Sequence, residues 1–432
     1  MEKAFHLSRY GTTVRRELLA GITTFLTMSY ILAVNPAMLG QIGGGMTPEA
    51  VFTGTAIASA IATLVMAFAA NLPIALAPGM GLNAFFTFTV VMGMGFPWQI
   101  ALTAIFLEGA VFFVLSLFDI RKAIINAIPA NLKIAIPVGI GLFIALIGFV
   151  NAGIVVNDSG TAIVGLGDLT DTHPLLALAG FVIIIVLYTL KVPGAVFIGV
   201  LTIAVIGIPL GVTSVPSGWS PVGTPSAPVF FQLDFSAVLT FKFFNIFLTF
   251  FLVSVFDTVG TLAGITAQAG LIGKNGYIPR GKQAFIARAV GTMTGAVFGT
   301  SSCATYVESS AGVAVGGRTG LASLCTGVLF LLALVFAPIF LLVSSSATAP
   351  ALIFVGFLMM TRVVDINFKD PTEGIPAFMT IVMMPFTYSI SQGITYGILS
   401  YVLLKAATGK FREIPLLTWA LFVVFALAFF IN

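Results

Sequence analysis

Charge is what this sequence lacks most. Of its 432 residues only 8% are Asp, Glu, Lys or Arg, against about 25% in a soluble domain, which excludes an ordinary water-soluble fold. Cysteine and histidine are scarce as well, with two of each. Cys303 and Cys325 lie in apolar segments without metal-ligand spacing, and His6 and His173 stand apart, so the sequence supports no metal, no cofactor and no nucleophilic dyad. It also lacks a phosphate-binding glycine loop, which leaves a membrane enzyme without machinery. The net charge of +4 does not indicate a nucleic-acid partner, because basic residues of a membrane protein mark cytoplasmic ends.

What is present is apolar. Hydrophobic residues make up 59% of the chain, and the mean hydropathy is +1.12. Runs of about 20 residues, enough to cross roughly 30 Å of hydrocarbon, follow one another from Leu18 to Ile431 and leave no room for a soluble domain. The first run is too long for the apolar region of a signal peptide and reads as a retained spanning helix. Fifteen segments are expected, at 18–39, 50–70, 74–95, 98–118, 134–151, 175–190, 193–212, 239–266, 283–299, 301–316, 319–343, 347–362, 374–390, 391–407 and 413–431.

If the amino end is cytoplasmic and the first fourteen segments cross, then Arg9, Arg15, Arg16, Arg121, Lys122, Lys133, Lys274, Arg318, Arg362, Lys405 and Lys410 all fall at cytoplasmic ends. Lys242 breaks the rule. The outer loops 152–173 and 213–235 hold Asp158, Asp168, Asp171 and Asp234 without Lys or Arg. The last segment, within 413–432, either crosses again or lies against the bundle.

Internal similarity points to a transporter. "GAVFFVLSLF" (109–118) resembles "GVLFLLALVF" (327–336), "FIGVLTI" (197–203) aligns with "YGILSYV" (396–402), and "TFLTMSYIL" (24–32) with "FFLVSVFDT" (250–258). The pairs keep their order, as two seven-segment copies over 15–212 and 237–409 require. An odd-numbered repeat inserts the second copy upside down. The expected fold is therefore an all-α polytopic membrane protein of fourteen segments in two inverted repeats, plus a C-terminal hydrophobic helix.

Two segments make poor spanning helices. "NLPIALAPGMGLNAFF" (71–86) carries two prolines and two glycines, and "GTSSCATYVESSAG" (299–312) is rich in hydroxyls and β-formers. Both read as extended first and helical afterwards, a conformation tolerated at this depth only inside protein or along a cavity. Entering from opposite faces, their half-helix N-termini should meet near the bilayer midplane. Asn83 and Glu308 then occupy equivalent places, 225 positions apart (308 minus 83), at helix ends that favour electronegative groups.

A carboxylate at mid-membrane costs about 2.5 to 3.5 kcal/mol and is functional by default. Besides Glu308, helped by Thr305, Ser309 and Ser310, there is Asp257 within the eighth segment. Asp257 has no helix end to stabilise its charge, which makes it the better proton carrier and Glu308 the better acceptor of substrate N–H groups. Glu108 divides evenly between a packing hydrogen bond and a proton relay. Phe85, Tyr306 and Tyr30 could stack on a flat ring. Together these groups describe a planar heterocycle with a lactam edge, and the carboxylates would repel a bare anion.

The motifs "TTFLTMSYILAVNP", "APGMGLNAFF", "FDTVGTLAG", "GTSSCATYVESSAGVAVGGRTGL" and "GIPAFMTIVMMPFTYSISQGI" resemble the AzgA-like purine permeases, a branch of the nucleobase:cation symporters, from about Arg15 to Gly409. The resemblance implies a core domain from segments 1–4 and 8–11 and a gate domain from 5–7 and 12–14, with short extended pieces in segments 3 and 10. It also implies adenine, guanine or hypoxanthine as substrate, protons as the usual coupling ion, and key positions at Asn83, Asp257 and Glu308. One departure is "FIARAVGTMTG", where an acidic residue is expected near Arg288. The expected protein is a guanine and hypoxanthine:H⁺ symporter of the cell membrane, monomer or homodimer, with adenine as the alternative substrate. An inorganic-anion exchanger of similar architecture and an uncoupled facilitator are the competing readings.

Overall fold

The computed structural model describes residues 2–118, 129–158, 162–272, 278 and 280–431. Arg121, Lys122 and Lys274, which entered the charge-bias argument, lie outside them.

The first segment is a broken rod. Helix α1 (Val14–Met28) is capped by the Thr13 side chain, and α2 (Ile31–Leu39) follows after Ser29 and Tyr30. At the junction Leu32 N–H donates to Ser29 O and Ala33 N–H to Tyr30 O, both at 3.0 Å, which tightens the turn. Helix α3 (Pro48–Val65) starts with a Thr47 cap and proline in its first turn, where a missing N–H does no harm.

The third segment then changes character. Strand β1 (Leu76–Pro78) precedes helix α4 (Met80–Ala84), which continues as a π-helical stretch to Gly93. Pro78 biases Ala77 toward extended backbone and supplies no N–H of its own. Helix α5 (Trp98–Leu117), α6 (Ala130–Asn151), a hairpin of β2 (Val155–Asp158) and β3 (Ala162–Leu166), α7 (Thr172–Thr189) and α8 (Ala195–Gly207) complete the first half. The hairpin occupies what the sequence suggests only as an outer loop.

The chain continues with α9 (Phe241–Gln268), α10 (Gly281–Val297), strand β4 (Cys303–Thr305), α11 (Ser309–Val315) and α12 (Gly320–Ala333). After α13 (Ala337–Leu341) come α14 (Ser345–Met360), α15 (Pro371–Phe386), α16 (Ile390–Ala407) and α17 (Leu416–Ile431). Each of the fifteen hydrophobic segments coincides with a helix or with a strand leading into one. Eight helical spans among the described residues have the length and hydropathy to cross a bilayer. The protein is thus a predominantly helical, polytopic membrane protein.

Packing sorts the helices. Helices α1, α3, α5, α10 and α12 lie against one another, with α11 on α1 and α9 on α5, while α6 packs on α14 and α15, α7 on α8 and α14, and α15 on α16. Helix α17 rests on α16 and α9, burying Phe425 completely. Between the groups, glycine permits close approach: a Cβ on Gly81 of α4 would sit 2.4 Å from Ile140 Cγ2 of α6.

Candidate functional site

The site is built where helices are interrupted. Strands β1 and β4 pair antiparallel, Leu76 with Thr305, Ala77 with Ala304 and Pro78 with Cys303. Outside that ladder, Tyr306 N–H donates to Ala75 O and Gly79 N–H to Ser302 O, each at 3.0 Å. The Thr63 hydroxyl of α3 accepts Leu76 N–H and donates to Leu76 O, both at 3.0 Å. Extended backbone in hydrocarbon must find its partners within the protein, and these bonds supply them.

Beyond each strand a helix begins facing the same cavity, whose void space is about 710 Å³ including its mouth. One wall is Gly79 to Leu82. A second runs from Ala304 to Glu308, and a third is one face of α9, Val253, Asp257 and Thr261 at helical spacing. The fourth comes from α6 and α14, with Ile136, Pro137, Ile140, Val355 and Met359. The first α4 bond is Asn83 N–H to Gly79 O, so the preceding N–H groups have no intrahelical acceptor.

Tyr30, at the break in the first segment, completes the lining. Its hydroxyl donates to Glu308 Oε1 at 2.6 Å. Glu308 is the N-cap residue of α11, where the helix dipole favours negative charge. Tyr306 donates its hydroxyl to Pro78 O at 2.6 Å, which fixes its ring over the strand pair. The structure therefore brings Tyr30, Asp257, Tyr306 and Glu308 together on one cavity.

It does not bring Asn83, Phe85 or Ser309 there. Asn83 is fully buried and accepts a hydrogen bond from the Ser301 hydroxyl. Phe85 stacks edge-on against Phe250 at 4.8 Å, and the Ser309 hydroxyl accepts Ala75 N–H at 3.0 Å. The antiparallel pairing of Leu76–Pro78 with Cys303–Thr305 sets Gly81, not Asn83, on the cavity shared with Glu308, and so presents backbone there rather than a side chain.

Glu108 lies behind β4, not on the cavity. Its Oε1 pairs with Arg288 Nη1 at 3.2 Å, both side chains fully buried, and its Oε2 accepts from the Ser302 hydroxyl at 2.8 Å. Arg288 also donates to Ser254, one turn before Asp257, and lies 4.8 Å from the Phe112 ring. The ninth segment has no acid beside Arg288, as its sequence shows, and the partner of Arg288 is supplied instead by α5. Two contributions escaped sequence reasoning. The apolar wall from α6 and α14 bears no chemical mark, although its residues recur at helical spacing. Glu17, fully buried, accepts N–H bonds from Arg318 at 2.8 Å and from Thr319 and Ala322 at 3.2 Å, capping α12 from a neighbouring helix.

With the geometry in hand, comparisons with known proteins identify the fold and the family. The transmembrane domain of the cyanobacterium bicarbonate transporter BicA superposes with a TM-score of 0.67 at 15% identity, covering 88% of this chain and 97% of that one, which establishes the transporter fold alone. A permease of Methanocaldococcus jannaschii is 47% identical over 99% of this chain and 98% of its own. Adenine permease AdeQ of Escherichia coli is 44% identical over 99% and 95%, and guanine/hypoxanthine permease PbuO of Bacillus subtilis 45% over 99% and 99%. The family model Xan_ur_permease, described as a permease family, matches residues 15–396. The chain accordingly belongs to the nucleobase permeases, in the AzgA-like branch of the nucleobase:cation symporters, a family of transporters rather than enzymes.

Proposed function

We propose that the protein imports purine nucleobases, hypoxanthine and guanine foremost, together with protons, across the cell membrane with its N-terminus in the cytoplasm. The observation that carries this reading is the meeting of Asp257, Glu308, Tyr30 and Tyr306 on one cavity at two helix starts. With Oε1 of Glu308 held by Tyr30, Oε2 is left to accept a base N–H. The backbone N–H groups at the start of α4 suit a lactam oxygen, and the apolar walls suit the faces of the ring. Asp257 takes the proton.

Transport then follows alternating access, with segments 1–4 and 8–11 as the core and 5–7 and 12–14 as the gate. The Gly81–Ile140 approach is a place where the two would slide. Adenine stays the second reading because AdeQ and PbuO, whose names differ in substrate, match this chain almost equally. Exchange of an inorganic anion is disfavoured by two carboxylates on the cavity.

Uptake of labelled hypoxanthine in cells lacking purine permeases tests the proposal. Guanine should compete better than adenine, and a protonophore should abolish accumulation. Competition by adenine alone would move the substrate to the second reading, and indifference to every purine would refute both.

A further inference from the structure

The cavity continues outward into a vestibule of about 1800 Å³, mouth included, which shares Asp257, Glu308, Pro137, Val355 and Met359 with the inner site. The faces that line the inner site extend into it: on α6, Ile136 and Ile140 lead back to Lys133, and on α14, Val355 and Met359 lead on to Arg362. At 1.5 Å per residue, Lys133 lies about 6 Å along its helix from Pro137, and Arg362 lies in the 3-10 turn Thr361–Asp365 that follows α14 directly. Both cations thus stand one turn outside the site.

The opposite wall is α9, and it leaves room. A Cβ on Gly260, one turn beyond Asp257, would lie 3.2 Å from Arg362 Nη1, while one on Gly264 would meet nothing within 4 Å. Arg362 therefore reaches across the throat of the vestibule toward α9. Its carboxylate neighbour, Asp365, is 3.7 Å away with both side chains about half exposed (52% and 54%), and such surface pairs hold weakly. A guanidinium and an ammonium at one mouth, with carboxylates one turn deeper, match a ligand that has a neutral hydrogen-bonding ring at one end and a phosphate at the other.

We propose that the vestibule binds a purine nucleoside monophosphate, whose base enters the Glu308 site and whose phosphate is held by Lys133 and Arg362, and that this ligand inhibits transport. The inference rests on the purine reading of the inner site. The base would lie against Glu308 and Tyr306 while the phosphate lay on α6 and α14, so one molecule would tie together the two groups of helices whose relative movement carries the base. A free base, ending short of Lys133 and Arg362, meets α6 and α14 only through their apolar side chains and can part from them. The basic face is the cytoplasmic one by the distribution of Lys and Arg, where the phosphorylated product of an imported base would arise, and the device would be product inhibition from within.

The test uses the purified full chain in nanodiscs, with labelled hypoxanthine as the reporter and inosine monophosphate, inosine and inorganic phosphate as separate competitors. The monophosphate should displace the base far better than inosine or phosphate. Lys133→Gln with Arg362→Gln should raise the concentration needed for half-displacement roughly tenfold or more, the loss expected for charge-assisted hydrogen bonds, while hypoxanthine affinity stays unchanged. If hypoxanthine binds but the monophosphate does not displace it, or displaces it equally well from the double variant, the nucleotide site is refuted and the base site stands. If inorganic phosphate alone matches the monophosphate, the ligand is a free anion and the proposal is equally overturned. If neither hypoxanthine nor any other purine base binds, the purine reading falls and takes the nucleotide with it.

Discussion

Tyr30 and Glu308 are joined by a 2.6 Å hydrogen bond between residues 278 positions apart, and this bond orients the carboxylate that faces the cavity. Tyr30 is fully buried at a helix break, so removing its hydroxyl leaves no ready substitute. Tyr30→Phe should weaken base binding by about 1 to 3 kcal/mol, the cost of an unpartnered buried acceptor, while the protein remains folded. Equilibrium binding of labelled base to purified protein measures this, and an unchanged Kd would show that Tyr30 does not prepare Glu308.

Gly81 predicts a steric effect. Because a Cβ there would lie 2.4 Å from Ile140 Cγ2, Gly81→Ala should displace α4 against α6 and reduce uptake about 10- to 100-fold, as a misplacement near 1 Å does in a reacting site. Ile140→Ala in the same chain should restore much of it. Failure of the rescue would mean that the backbone of Gly81, not its clearance, is what matters.

The Glu108–Arg288 pair predicts an effect on stability. Removing one partner of a buried ion pair costs about 3 to 5 kcal/mol, whereas replacing both can be neutral. Arg288→Met should therefore lower the thermal midpoint in detergent more than Arg288→Met combined with Glu108→Gln does. With Glu108→Gln alone as the fourth corner of the cycle, single losses that simply add up to the double would show the two side chains to be energetically uncoupled.

These three cases show what the sequence disclosed. Asp257 and Glu308 were legible because a carboxylate in an apolar run has little other reason to be there. Pro78 and the hydroxyl-rich run before Glu308 disclosed the extended pieces, but not their register, and it is the register that puts Gly81 rather than Asn83 on the cavity. Glu108 was visible and ambiguous, since nothing local to it names Arg288, 180 positions away. Glu17 was hidden among the basic residues of a cytoplasmic end, where an acid reads as surface charge. The wall from α6 and α14 was hidden for the opposite reason, being apolar in an apolar chain.

Acid should loosen one end of the protein. Lys405 Nζ lies 3.0 Å from Glu373 and 2.6 Å from Glu413, and Lys410 Nζ 3.3 Å from Asp370. The hydrogen bond from Lys405 holds the Glu413 carboxyl below its ordinary range, and the Thr372 hydroxyl and N–H do the same for Asp370. For a carboxyl whose folded value is depressed, the stabilisation is present above the ordinary value of about 4 and is lost as pH falls through the lower folded value. Protection from hydrogen exchange over 408–418, taken relative to the intrinsic rate at each pH, should thus hold at neutral pH and fall below about pH 4, and Lys405→Met should lower it in the same way at neutral pH. Exchange that is already fast in the unaltered protein at neutral pH would show that these ties do not hold the turn before α17.

The division of labour between the two carboxylates is tested most directly by comparing exchange with accumulation. Asp257→Asn and Glu308→Gln are reconstituted in liposomes and assayed for counterflow of labelled hypoxanthine and for uptake driven by a proton gradient. Asp257→Asn should retain counterflow and lose gradient-driven accumulation, while Glu308→Gln should lose both because the base no longer binds. Counterflow by Glu308→Gln at unaltered affinity, or accumulation by Asp257→Asn, would contradict the assignment.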